Sequence, residues 1–172
     1  MTTRPDVLEI GRGLPSWSLR VLVAATGAGV VGVLAATGLH GPVLWLIGLA
    51  AAATVGMPSS PAPMLVLLLT AMSVVATGTG VLGPMLVLVP LLHLMHVSCA
   101  LAGLVPPGAR VHLAALRVPA LRFVGVQAAV FALAGLMALV PGGTTLPVLE
   151  FAALLGVAGI ALLVAWLVHR PQ

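Results

Sequence analysis

The chain has 172 residues, of which 61% are hydrophobic and 6% charged. A water-soluble domain carries about 25% charged residues to wet its surface, so this composition excludes an ordinary soluble fold and makes lipid the main solvent. The formal charge of +4 comes from seven Arg and no Lys, set against three acids. These Arg are not interleaved with aromatic residues, so nucleic acid is not an expected partner and they read as orientation signals at a membrane. The single Cys excludes an internal disulfide.

In chain order, residues 1–20 form a short N-terminal tail holding Arg4, Arg12 and Arg20. Six apolar runs follow, at 21–39, 42–57, 64–82, 84–105, 123–140 and 148–168. Crossing about 30 Å of hydrocarbon takes roughly 20 apolar residues. The charge-free stretch from Met64 to Val105 is too long for one span and divides into two. Residues 106–122 form a basic segment with Arg110, Arg117 and Arg122, and residues 169–172 a C-terminal tail. The expected fold class is therefore all-α, a polytopic transmembrane helical bundle of six spans without a soluble domain. A four-span alternative makes part of Pro42–Leu82 re-entrant.

The breakers agree with this division. Pro42, Pro58, Pro61, Pro63, Pro84, Pro106, Pro107, Pro141, Pro147 and Pro171 fall at or between runs, leaving Pro90 as the one internal to a span. Proline is accepted in loops and first helical turns and disrupts helix interiors. Pro119 is expected to end any longer helix in the basic segment, which then reads as a connecting loop whose Arg meet anionic headgroups. With six spans and a cytoplasmic N-terminus, every Arg falls on the cytoplasmic side, with Arg20, Arg110, Arg117 and Arg122 as the anchors. Trp17, Trp45 and Trp166 stand near span ends, the depth that tryptophan favours. A cleaved signal peptide is not expected, because no small-x-small site follows the first run.

The chemistry-bearing segment is Pro90-Leu-Leu-His93-Leu-Met-His96-Val-Ser-Cys99. Ionisable groups within spans are costly and point to function. His93 and His96 lie three apart and are expected to share a face turned into the bundle, with Cys99 continuing the spacing. Imidazole and thiolate bind transition metals, and a haem iron takes an axial His. Against this stands a structural pair of neutral imidazoles bonded across a helix interface. Gln127 reads as an interhelical hydrogen bond. Glu150, at the start of the last run, suits the positive end of a helix dipole.

Ala28, Gly32 and Ala36 repeat at four-residue spacing in the first run, a pattern that lets helices approach closely. Ala-Ala-Thr-Gly recurs at Ala24 and Ala35, almost three helical turns apart. Phosphate loops, zinc-protease motifs and nucleophile elbows are absent.

In its abundance of Ala, Gly, Val, Leu and Pro and its lack of Lys, the chain resembles the many small multi-spanning membrane proteins of GC-rich actinobacteria. That resemblance implies a bacterial plasma-membrane location without implying an activity. The expectation is a structural or accessory subunit of a membrane assembly, not an enzyme, with lipids and other membrane proteins as partners and no cofactor. A small transporter or channel, and a metal- or haem-binding redox protein centred on the His pair, are the alternatives.

Overall fold

The computed structural model describes residues 13–77, 82–106 and 108–138. The sixth run, with Glu150 and Trp166, lies outside the described residues, as do Arg4, Arg12 and Arg170. Within them the chain forms five helices: α1 (Trp17–Ala36), α2 (Pro42–Gly56), α3 (Ala62–Thr77), α4 (Leu82–Leu104) and α5 (Leu113–Ala138). Two residues of the tail, β1 (Leu14–Pro15), pair antiparallel with β2 (Arg110–Val111). Three helices, α1, α4 and α5, are long and apolar enough to cross a membrane, while α2 and α3 are shorter apolar helices.

Breakers place the helix ends. Pro42 opens α2 at its first position, where the missing N–H removes no helical bond. Gly41 just before it sits at φ 83°, a conformation that side chains disfavour. Pro90 lies inside α4, as its position among apolar residues predicts. Pro119 does not behave as expected, because α5 continues through it. The basic segment is thus a loop only up to His112. The His112 ring Nδ1 accepts from the Ala114 N–H at 3.3 Å, and its carbonyl accepts from Ala115, so this side chain caps α5.

The core lies where α1 meets α4 and α2, with α3 packed on α2. Buried residues on α1 are Leu19, Val23, Thr26, Gly27, Val30 and Leu34, mostly three or four apart and hence on one stripe. They meet Ile47, Ala50 and Ala51 of α2, Val66 of α3, and Leu88, Met95 and Cys99 of α4. Thr26 and Thr54 are buried in this core and donate their hydroxyls to carbonyls on their own helices. This removes the cost of an unpaired polar group in an apolar interior. The outer surface is apolar in the opposite sense: Leu49 is 70% and Val75 77% exposed. Large exposed apolar areas are what a lipid-facing surface requires.

The β1–β2 pair fixes one aspect of topology. It joins the start of α1 to the segment after α4, so both ends of the α1–α4 unit lie together. Ser16 N donates to the Ala109 carbonyl at 3.0 Å, and the Ser16 hydroxyl accepts from Gly108 N at 3.2 Å. Gly13 is required at this crossing, since a Cβ there would come within 2.8 Å of the Val111 carbonyl oxygen. The α2–α3 turn reaches the same end, because a Cβ on Gly103, in the last turn of α4, would meet Ser59 at 3.5 Å. The hairpin of short helices therefore runs alongside α4 down to its last turn.

Contact density divides the chain at Ala132, and Leu133–Gln172 form a second unit. Of the second unit, Leu133–Ala138 are described, and they continue α5.

Candidate functional site

The structure separates the three residues that the sequence grouped. On an ideal helix, residues three apart differ by about 60° in direction, so His93 and Cys99 differ by about 120°. His93 is half-buried and turned to α5, His96 is exposed, and Cys99 is buried against α2 beside Thr54. The expectation that both imidazoles face the bundle interior holds for His93 and fails for His96. The physical reason is that Met95, Cys99 and Ala102 supply the apolar surface that α4 buries, and their stripe turns His96 outward. Among the described residues, no group of three or more His, Cys, Asp or Glu is close enough to hold a metal ion.

What the fold brings together instead is a polar contact between α4 and α5. The Gln127 amide nitrogen lies 2.7 Å from His93 Nδ1. Which of the two groups donates is set by the imidazole tautomer. Phe123, one turn before Gln127, places its ring 5.0 Å from the imidazole at an interplanar angle of 41°. Gln127 is 6% exposed, and its Oε1 has no hydrogen-bond partner. Leu116, Pro119, Phe123, Gln127 and Val130 are the more covered positions of α5, at helical spacing, so a single stripe faces the bundle. The sequence identified Gln127 as an interhelical hydrogen bond. Its partner His93 and the stacked Phe123 became visible only in the fold.

The small-residue stripe, expected to pack either inside the bundle or against another subunit, lies on the outside of the described helices. Ala28, Gly32 and Ala36 are exposed, and a Cβ on Gly32 would meet nothing within 4 Å. The close approach is one residue away: a Cβ on Gly27 would lie 3.2 Å from the Ala51 Cβ. The Gly27–Ala51 contact forms the floor of a groove of about 640 Å³ between α1 and α2. Ala24, Ala28, Val31 and Gly32 form one wall, and Gly48, Ala52 and Val55 the other. Gly48, like Gly32, has open space above it. Ala28 and Gly32 of the stripe thus line the wall of an open furrow.

The Arg anchors fall into two groups. Arg20 and Arg110 border a cleft of about 410 Å³ beside the β1–β2 pair. Arg117 and Arg122 are exposed along the first turns of α5.

No family model matches the chain, and no curated protein or solved structure is similar to it.

Proposed function

We propose that this chain is a multi-spanning subunit of a membrane assembly, and that the α1–α2 groove seats a transmembrane helix of a partner protein. The observation that carries this reading is the open floor and walls of the groove: nine lining residues, all Ala, Gly or Val, beside a filled core. Between helices in lipid there is no hydrophobic driving force, so association depends on close backbone contact. Exposed small residues provide it. A lipid chain would cover the same surface without needing two open glycines opposite each other.

The proposed topology has the β1–β2 end in the cytoplasm of a bacterial plasma membrane, with α1 to α4 crossing four times. Support comes from the pairing of the tail with the segment after α4, which requires an even number of crossings between them, and from the collection of Arg20, Arg110, Arg117 and Arg122 at that end. Arg122 stands nine residues into α5, about 14 Å along the helix axis. The first turns of α5 therefore lie at the headgroup level, and the crossing begins near Phe123. With the run 148–168 as the last crossing, both termini are cytoplasmic. Cysteines introduced at His40 and at His112 in a Cys99→Ala background are expected to label from opposite sides of the membrane. Labelling of both from one side would discard this topology.

The groove is tested by affinity purification in mild detergent from the native host. A partner is expected to co-purify with wild type and to be lost with Gly32→Leu or Gly48→Leu, while the subunit itself remains folded. Unchanged partners in both variants would sink the accessory reading. The unpaired Gln127 Oε1 beside His93 favours a second reading, transport of a small cation or proton along the α4–α5 seam. Proteoliposomes should then show a flux that His93→Gln alters, and no flux would remove this alternative.

A further inference from the structure

We infer that the cleft between the start of α1 and the turn before α5 binds the phosphate of an anionic lipid headgroup. Two arginines, Arg20 and Arg110, line one cleft of about 410 Å³ from positions far apart in sequence. The β1–β2 pair sets Arg110 against Pro15, and the Ser16–Ala109 and Gly108–Ser16 hydrogen bonds fix the start of α1, which carries Arg20, to the same segment. Like charges placed together repel, and a fold tolerates this where an anion lies between them. Between residues 13 and 138 the chain carries no carboxylate; its three acids are Asp6, Glu9 and Glu150.

The shape of the donors fits a phosphate. Arginine presents a planar fork that bonds phosphate oxygens two at a time, and it gives up hydration more readily than lysine. α1 is twenty residues long and begins at this cleft without a side-chain cap, so its first N–H groups add positive potential on the same side. Trp17 also lines the cleft and is 63% exposed, which suits a ring lodged between headgroups and acyl chains. A phosphodiester anchored at that depth satisfies the Arg pair while its acyl chains run along α1. Free phosphate would satisfy the charge but leave the Trp17 face uncovered, so a lipid is the occupant. This site lies apart from the α1–α2 groove and does not depend on a protein partner.

The test is native mass spectrometry of the full chain in neutral detergent, titrated with phosphatidylglycerol, phosphatidylcholine or inorganic phosphate. Saturable binding of phosphatidylglycerol is expected, well above that of phosphatidylcholine. Arg20→Gln and Arg110→Gln should each weaken it about fivefold, the usual worth of one arginine near an anionic surface. His40→Gln, between α1 and α2 and away from the cleft, should leave it unchanged. Equal binding of the two lipids, or no loss in the Arg20 and Arg110 variants, would overturn the proposal. Full displacement by inorganic phosphate would reassign the site to a free anion and equally overturn the lipid. Should Arg110→Gln unfold the β1–β2 pair, Arg20→Gln against Arg20→Lys decides alone: Lys keeps the charge without the fork, so Arg20→Gln should weaken the lipid more than Arg20→Lys, and equal retention in both would overturn the proposal.

Discussion

The α1–α4 unit and α5 are made of similar material and are packed very differently. Both consist of apolar helices, and α1, α4 and α5 are each long enough to reach across a bilayer. In α1 a stripe of six residues is buried, from Leu19 to Leu34. In α5, up to Ala132, Gln127 alone is buried. In water, greasy residues would drive both together alike. In lipid they do not, and what remains is how near two backbones can come and which polar groups need each other. A Cβ on Gly27 would lie 3.2 Å from Ala51 and one on Gly29 3.2 Å from Leu91, so both glycines let α1 approach its neighbours closely. Gly125 of α5 faces open space, and this helix is held at the contact by the Gln127–His93 hydrogen bond and the Phe123 ring.

The comparison breaks most decisively at Gly27. Leucine there cannot be placed without pushing α2 away, since even a Cβ would press on Ala51. Overpacking of this kind typically costs about 1–3 kcal/mol, and here the neighbour is a short side chain with nowhere to move. Gly27→Leu should therefore lower the thermal unfolding midpoint in detergent more than any other change considered. An unchanged midpoint would mean that the α1–α2 contact is not a determinant of the fold.

At the α4–α5 seam the effect should be smaller and local. Gln127→Leu and His93→Leu each remove one interhelical hydrogen bond, worth about 0.6 to 1.7 kcal/mol within a membrane. The midpoint of the four-helix unit should scarcely move, while hydrogen exchange in α5 speeds up. His93→Gln should retain more protection than His93→Leu, because glutamine can still meet Gln127 whereas leucine leaves that amide unpaired. If exchange stays slow in every variant, the seam is held by something other than this pair.

His96 sharpens the same contrast from the outer face of α4. It is exposed and three residues from a histidine that is engaged. His96→Leu is expected to change stability by no more than about 0.5 kcal/mol, the usual range for surface positions. A loss comparable to that of His93→Leu, read from the same thermal scans, would show that His96 has a partner. The smallest effect on the isolated chain belongs to Gly32→Leu, which should leave unfolding unchanged while abolishing co-purification of the partner.

Particular residues mark where sequence reading succeeded. Pro42, Pro63 and Pro84 stand in first helical turns and Pro90 inside α4, since a missing N–H has the same consequence in any fold. Pro119 defeated the same rule. Losing a single hydrogen bond need not end a helix whose neighbouring turns keep theirs, and α5 passes through it. Gln127 was recognisable as an interhelical group because an amide within an apolar run must find a partner. Which residue it finds depends on how α4 is rotated, and spacing alone carries no such information.

Sequence by itself determined the helical class, the apolar runs up to residue 138 in outline, and the division between a basic end and an apolar remainder. These follow from local properties, namely the cost of charge in lipid and the backbone needs of proline and glycine. Only the tertiary structure decided which face of each helix is covered. It turned His93 inward and His96 outward, left Gly32 open while burying Gly27, and paired the tail before α1 with the segment after α4, so that Arg20 and Arg110 line one cleft. Each of those outcomes is set by the rotation of a helix about its own axis. In a chain where every face is apolar, that rotation is chosen by shape and by a few hydrogen bonds, which exist only once the helices have met.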